Sequence, residues 1–449
     1  MESLIGVLQQ IQEIVWGPPT MILLLITGLY YTLRLGFLQF IHLPKAIRYI
    51  FEKEEGSVGD VSAFASLCTA LAATIGTGSI VGVATALRVG GPGALFWMWV
   101  SAVLGMATKY AEGVLAIKYR SIDENGEVAG GPMYYIEQGM GSKWKWLAKL
   151  FAFFGAVTAL MGCGTFPQVN AITESVSNAF NVPIPLVGAV VTIATAAVVL
   201  GGIKSISSVA EFIVPLMAAF YVAASAYVLF NQSAALPGAL VLVVKSAFEP
   251  TAVAGGATGA VIVSVMTAMR TGIARGVYTN EAGLGSAPIV VAAAKSDSGV
   301  RQGLIAMTGV FFTTIVICTM TGLVIITSGL LDSSTLDGGI LSNAAFNAGM
   351  SGDMGMYVVS IGLVFFSFTT IIGWNYYGER CVVYLTDGVK YVMSYKLLYI
   401  LCVAVAPYLS IRPIWYMADI TNACMAFPNL IALLVLSPIV IAETKKYFQ

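Results

Sequence analysis

The sequence predicts an all-α integral membrane protein with eleven transmembrane helices: one N-terminal helix, then two inverted repeats of five. Three observations carry this prediction. The 449-residue chain is 58% apolar and only 10% charged, with a mean hydropathy of +0.85. Apolar stretches of membrane-spanning length recur along it. Two of these stretches, five spans apart, are interrupted by glycine-rich or polar segments, as in inverted-repeat transporters.

The candidate spans are stretches of about twenty mostly apolar residues. They are 18–38, 62–88, 92–117, 148–177, 183–201, 209–230, 254–292, 302–329, 355–383, 393–411 and 417–441. The 254–292 stretch is too long for one straight helix and contains Arg270 and Arg275, so it predicts two half-helices around a break. We therefore divide one transporter domain into 1–60 (N-terminal helix and cytoplasmic loop), 61–230 (first repeat) and 250–441 (second repeat).

Basic residues orient the bundle, because cytoplasmic loops are enriched in Lys and Arg. The connections after spans 1, 3, 5, 7 and 9, together with the C-terminal tail, hold sixteen Lys and Arg, Lys53 among them, and the opposite side holds three. The 330–354 loop carries Asp332, Asp337 and Asp353 but no Lys or Arg. The N-terminus is therefore predicted outside and the C-terminus in the cytoplasm.

The composition and the absence of known motifs argue against several functional classes. The net charge is zero, so nothing indicates a nucleic-acid partner. One histidine and six scattered cysteines offer no metal or redox pattern, and no H-E-x-x-H, G-x-S-x-G or P-loop motif is present, so neither an enzyme nor an ATP-driven pump is expected. An ion channel remains an alternative to a transporter. No cleavable signal peptide is visible at the N-terminus.

The break in span 2 is the run Gly76-Thr77-Gly78-Ser79. Backbone groups cannot stay unpaired in lipid, so an opened helix must give them to a ligand or to another helix. The half-helix that follows presents free N–H groups to a carboxylate, and the carbonyls of Ala72 and Ile75 suit a cation. The span contains no Asp or Glu, which favours Na⁺ over a proton. Small residues that merely allow close helix packing are the alternative explanation.

Span 9 supplies two adjacent hydroxyls, Thr369 and Thr370, with Trp374 one turn beyond. Such hydroxyls usually bond back to their own helix, so an ion site is one of two interpretations. Trp374 could likewise cap a small pocket or pack in the core. Both alternatives stay open from spacing alone.

The second break, residues 275–286, is unusually polar for a membrane interior, where charged groups are costly and often functional. Arg275 and Glu281 form either a gate pair or part of the cytoplasmic rim. Lys109 and Glu112, three residues apart in span 3, predict a structural ion pair. The Glu379-Arg380 pair predicts the cytoplasmic end of span 9.

Several motifs together resemble the alanine-or-glycine:cation symporter family, over about residues 15–440. They are ALAATIGTGSI (70–80), GGPGALFWMW (90–99), GMATKYAE (105–112), GGPMYY (130–135), TNEAGLGSAP (279–288) and IIGWNYYGER (371–380). The resemblance implies a LeuT-type fold with one extra N-terminal helix, in a bacterial or archaeal inner membrane. It also implies Na⁺-coupled uptake of glycine or alanine, with Na⁺ as coupling ion and no other cofactor. Proton coupling is the alternative.

The resemblance also implies the site residues. Those expected to contact the amino acid are Thr74, Gly76, Gly78, Ser79, Gln168, Tyr278, Thr370 and Trp374. Those expected to hold Na⁺ are the carbonyls of Ala72, Ile75 and Phe366 and the hydroxyls of Thr369 and Thr370. The family usually has Asn at the position of Ser79, and serine is shorter and lacks the amide.

Overall fold

The computed structural model is almost entirely helical. It describes all residues except 1, 53, 55–56, 256–258, 333–335, 337 and 410, so Lys53 and Asp337 of the orientation argument lie outside the described residues. The chain opens with α1 (Glu2–Val15), α2 (Pro18–Arg34), α3 (Leu38–Ile41) and α4 (Leu43–Phe51). Trp16 and Gly17 separate α1 from α2, which begins with two prolines, a residue favoured at the start of a helix.

The first half of the bundle contains the first broken span and a short hairpin. Its elements are α5 (Ala63–Thr74), a π-helical turn (Gly78–Gly82), α6 (Val83–Gly90), α7 (Gly93–Lys118), β1 (Ser121–Ile122), β2 (Val128–Ala129), α8 (Pro132–Met140), a 3₁₀ turn (Ser142–Trp144), α9 (Lys145–Met161), α10 (Phe166–Phe180), α11 (Ile184–Val199), α12 (Gly202–Asn231) and α13 (Leu236–Ser246). Strands β1 and β2 pair antiparallel.

The second half begins with another antiparallel hairpin. Its elements are β3 (Thr251–Gly255), β4 (Gly259–Val263), α14 (Val265–Asn280), α15 (Ala287–Val291), α16 (Gly299–Val310), a π-helical segment (Phe311–Cys318), α17 (Thr319–Thr327), a 3₁₀ turn (Leu330–Asp332), α18 (Gly338–Gly349), α19 (Met354–Leu385), α20 (Val392–Val405), a 3₁₀ turn (Ala406–Tyr408), α21 (Ile411–Val435) and α22 (Ser437–Phe448).

The membrane setting is supported, at a coarser level than the predicted count. Within the described residues, seven helices are long and apolar enough to cross a membrane, or eight if the bent pair Ala63–Thr74 and Gly78–Gly90 is one span. The predicted spans 183–201 and 393–411 coincide with shorter apolar helices, and 254–292 coincides with two half-helices. The eleven-helix count and the inverted repeat therefore remain predictions.

The break in span 2 is confirmed: its two halves are bent by 55°. The chain leaves the helix at Ile75–Thr77, and Gly78 and Ser79 already belong to the π-helical turn. Span 7 is also two half-helices around a break, now placed at residues 281–286. Its predicted helical start at 254 is wrong, because residues 251–255 and 259–263 form β3 and β4. That stretch is rich in valine and interrupted by glycine, which favours a hairpin.

One interruption was not predicted. Span 4 divides into α9 and α10 between Met161 and Phe166. The signal is present in the sequence, since Gly162 and Gly164 precede Pro167, which stands in the first turn of α10. In the same way, span 11 ends at Val435 rather than 441, and α22 begins at Ser437 with Pro438 in its first turn.

Helices α7 and α19 form the centre of the bundle. Most of their side chains are buried, including nearly every residue from Gly105 to Ile117. Helix α12 lies outside them and exposes large apolar side chains such as Phe212 and Phe230, at 74% and 78%. Such exposure suits lipid contact. Each broken span also contacts one of these central helices, since α5 packs against α19 and α14 packs against α7.

Candidate functional site

An oxygen cluster joins the first broken span to α19. The Thr370 hydroxyl lies 3.0 Å from the Ala72 carbonyl, 3.5 Å from the Ile75 carbonyl and 2.9 Å from the Phe366 carbonyl. The Thr369 hydroxyl lies 3.1 Å from the Phe366 carbonyl and 3.8 Å from the Met217 sulfur. One hydroxyl proton cannot serve three carbonyls, so the cluster has surplus acceptors. Neutral oxygens converging in this way suit a bare cation.

Neighbouring side chains crowd Gly76, beside that cluster. A methyl group at Gly76 would come within 2.6 Å of the Thr370 hydroxyl and 3.1 Å of the Gln168 side-chain oxygen. That Gln168 oxygen accepts a hydrogen bond from the Thr77 N–H at 3.2 Å, and the Gln168 amide donates to the Cys163 carbonyl at 3.1 Å. The interruption between α9 and α10 thus lets Gln168 reach the break. The structure brings together Gly76, Gln168 and Thr370 of the predicted substrate set.

Gly78 and Ser79 face span 7 and span 8 instead. A methyl group at Gly78 would lie 2.9 Å from the Tyr278 ring, so these two predicted residues are in contact. The fully buried Ser79 hydroxyl lies beside the Cys318 thiol of span 8. Its backbone carbonyl accepts a hydrogen bond from Thr321 at 2.9 Å. The first break is therefore packed between helices on both sides.

Thr74 and Trp374 have local partners. The Thr74 hydroxyl donates to the Ala70 carbonyl of its own helix at 3.0 Å, and Thr74 lines a small cavity beside Lys109. Trp374 is 1% exposed, belongs to the main hydrophobic core and packs edge-on against Tyr377, with ring centroids 5.4 Å apart. These contacts agree with the core-packing interpretation of Trp374 and leave its proposed role to experiment.

The second break is occupied by charged side chains of α7. Lys109 Nζ donates to the Asn280 carbonyl at 3.0 Å. One Glu112 carboxylate oxygen accepts from the N–H groups of Gly283 and Gly285 at 3.1 and 3.2 Å, and from the Asn429 side chain at 2.7 Å. The predicted Lys109–Glu112 ion pair is wrong: both groups bond the broken span, because its free backbone groups lie closer than the two charges do to each other.

Arg275 and Glu281 do not pair with each other either. Arg275 lies 3.7 Å from the Asp419 carboxylate, and Glu281 accepts a hydrogen bond from the Ser286 hydroxyl. Arg275 and Asp419 line a cavity of about 650 Å³ between α1, the first broken span, α10 and α21. The Gln12 side chain of α1 also donates to Asp419, at 2.9 Å. Sequence reasoning missed Asp419, although a lone acid inside an apolar span is itself a functional signal.

A further group of ion pairs links α19 to the hairpin of β1 and β2. Arg380, 2% exposed, lies 2.7 Å from the Asp123 carboxylate and 2.9 Å from the Glu379 carboxylate, and also bonds Glu127. Burial raises the pKa of the adjacent loop residue Asp60, which accepts a hydrogen bond from the Val128 N–H at 2.8 Å. Glu379-Arg380 lies in the last two turns of α19, which ends at Leu385, and links this end of the helix to the hairpin.

Comparison with known proteins agrees with these features. A sequence profile described as the sodium:alanine symporter family matches residues 1–449. An uncharacterized transporter of Haemophilus influenzae is 53% identical over 444 residues, covering 99% of this chain and 96% of that protein. The sodium/alanine symporter AgcS of Methanococcus maripaludis is 48% identical over 450 residues, covering 99% and 97%.

The fold is similar to that of a solved transporter structure. A manganese transporter mutant of Eremococcus coleocola superimposes with a TM-score of 0.52 and covers 88% of this chain and 83% of its own, at 11% identity. At that identity the likeness concerns the fold alone.

Proposed function

The chain belongs to the sodium:alanine symporter family, so it is a multi-pass membrane transporter and not an enzyme, and we propose that it imports a small neutral amino acid, alanine or glycine, together with Na⁺. The observation that carries this proposal is the oxygen cluster between the first broken span and α19. A coupling ion at that position would touch both elements at once. A transporter needs such a link between ion binding and substrate binding.

We assign the ion site to five oxygens. The carbonyls of Ala72, Ile75 and Phe366 and the hydroxyls of Thr369 and Thr370 would surround Na⁺, with the Thr370 hydroxyl turning its proton away. Its three short oxygen contacts support this assignment. Residues 62–90 contain no Asp or Glu, which supports Na⁺ over the proton-coupled alternative.

We assign the amino-acid site to the space beside Gly76 and Gln168. The backbone N–H groups of the first break would bind the carboxylate, at the positive end of the half-helix that follows. Gln168 and Thr370 approach Gly76 so closely that they would have to move apart for an amino acid to bind, and a substrate with a hydrogen or methyl side chain would require the smallest movement. The remaining assigned contacts are Thr74, Gly78, Ser79, Tyr278 and Trp374.

The topology proposed with this function is eleven transmembrane helices, with the N-terminus outside and the C-terminus in the cytoplasm of a cell inner membrane. Residues 61–230 and 250–441 would be the two inverted repeats, after an N-terminal helix and loop in 1–60. The position of the two breaks supports this arrangement, because each follows the start of one repeat. The large cavity beneath α1 would then face outside.

Uptake into proteoliposomes tests the proposal. With Na⁺ outside and a negative interior, purified protein should accumulate labelled alanine or glycine above the external concentration, and replacing Na⁺ by choline should abolish accumulation. A proton gradient imposed without Na⁺ should not drive uptake. Accumulation driven by the proton gradient alone would select the proton-coupled alternative, and equilibration without accumulation would indicate a channel.

A further inference from the structure

The freed backbone groups of the two broken spans have different hydrogen-bond partners. In the first break, within the part of the chain that the structure describes, the Thr370 hydroxyl is the side-chain partner of the Ala72 and Ile75 carbonyls, and Gln168 reaches a single N–H group. In the second break, side chains from two other helices bind both N–H groups and carbonyls. The second break therefore has more side-chain partners for its backbone than the first.

The second break is held by opposite charges at its two ends. The ammonium of Lys109 binds the carbonyl of Asn280, the last residue of α14, where a helix carries partial negative charge. The carboxylate of Glu112 binds the N–H groups of Gly283 and Gly285, in the turn between α14 and α15. The two charges thus bind backbone groups on successive parts of the same break.

The geometry of α7 makes this arrangement possible. Lys109 and Glu112 are three residues apart and so lie on one face of a helix. They are 3% and 0% exposed, a setting in which an unpaired charge would be very costly. Their backbone partners are part of what compensates that burial. Removing either side chain would leave buried backbone groups unpaired.

Two further contacts extend the support. The Asn429 side chain of α21 donates to Glu112 and, at 2.9 Å, to the Gly283 carbonyl, and the Tyr135 hydroxyl of α8 bonds Asn429. Gly283 and Gly285 have φ angles of 86° and 81°, a left-handed backbone that favours glycine. The break thus has a defined turn with partners on two other helices, α7 and α21, and Tyr135 of α8 supports Asn429.

We propose that Lys109 and Glu112 are positioning residues that hold the second break open before any ligand binds, so that only the first break responds to the ion and the amino acid. This inference rests on the proposed function for its transport readout. Pre-organisation of one half of a site lowers the cost of binding. Without this pre-organisation, the apparent affinity falls in proportion to the fraction of molecules that are in the binding-competent state.

Hydrogen exchange measured by mass spectrometry on the ligand-free protein tests the structural half of the proposal. Peptides covering residues 281–287 should be protected in the wild type. Glu112→Leu should speed their exchange on the order of tenfold or more, and Glu112→Gln, which keeps one acceptor oxygen, should stay within about threefold. Glu443→Gln, at an exposed ion pair with Lys118, is the matched control and should change nothing.

Transport supplies the second readout. Glu112→Leu should raise the KM for alanine about tenfold or more while Vmax per folded molecule changes less, and Glu112→Gln should restore most of the affinity. If Glu112→Leu does not fold, Lys109→Met tests the same idea at the Asn280 carbonyl. Fast exchange in the wild type, or a loss of Vmax with unchanged KM, would overturn the proposal. Because the exchange measurement uses no ligand, it stands even if alanine uptake fails.

Discussion

Replacing Thr370 by valine removes one hydroxyl while it keeps the shape of the side chain. In the structure that hydroxyl lies within 3.5 Å of three carbonyls, whereas the Thr369 hydroxyl approaches one carbonyl and a sulfur. Thr370→Val would remove one of the five oxygens proposed around Na⁺. It would also remove the hydroxyl that approaches the Ala72 and Ile75 carbonyls.

The magnitude follows from that geometry. A hydrogen bond or ligand contact to a charged group is worth about 1.5–3 kcal/mol, so Thr370→Val should weaken apparent Na⁺ affinity on the order of tenfold to a hundredfold. Thr369→Val should weaken apparent Na⁺ affinity less, about tenfold, because the Thr369 hydroxyl approaches one carbonyl rather than three. Thr370→Ser keeps the hydroxyl and should remain within about threefold of the wild type.

The assay is the Na⁺ dependence of labelled alanine uptake in proteoliposomes, at fixed alanine and with the amount of folded protein measured for each variant. Half-saturating Na⁺ should rise in the order wild type, Thr370→Ser, Thr369→Val, Thr370→Val. An unchanged Na⁺ dependence in both valine variants would remove these threonines from the ion site. An equal loss in Thr370→Ser would show that packing, and not the oxygen, matters.

Three other predictions concern the substrate space and the topology. Gly76→Ala should lower uptake at least tenfold, because its methyl group would lie 2.6 Å from the Thr370 hydroxyl, whereas Gly238→Ala, which meets nothing within 4 Å, should leave uptake unchanged. Trp374→Ala should weaken glycine uptake and admit serine, valine or leucine in competition binding, and wild-type selectivity in this variant would make Trp374 a packing residue only. Single cysteines in 330–354 should react with an impermeant reagent from outside and those in 120–147 only from inside, so labelling of both from one side would defeat the topology.

Local sequence signals predicted much of the fold. The run Gly76 to Ser79 and the polar stretch after Arg275 both fall at real interruptions, because glycine and buried polar groups disfavour a continuous apolar helix. The hairpin at 251–263 was missed because hydropathy alone does not separate a valine-rich strand from a helix. The break before Phe166 was missed although glycines and a proline mark it.

Contacts among the candidate site residues could be predicted where short motifs contain those residues, as in span 2 and span 9. It was not predictable where partners are distant in the chain. Spacing suggested that Lys109 would pair with Glu112, but the free backbone of residues 280–285, over 170 positions away, competes for both charges. Asn429 and Asp419 lie still farther along the chain, and only the packing of α21 brings them in.

The Thr370 hydroxyl has a consequence for energy conversion, because it lies at the boundary of the two proposed sites, touching the Ala72 carbonyl on one side and the space over Gly76 on the other. Occupancy of either site fixes the same atom, so each ligand should tighten the other by the same factor, as thermodynamic reciprocity requires. A potential of 100 mV gives each entering Na⁺ about 2.3 kcal/mol. With one ion per cycle, that alone would concentrate a zwitterionic amino acid roughly fiftyfold. In the proposed mechanism, this shared oxygen would couple the membrane voltage to the amino-acid gradient.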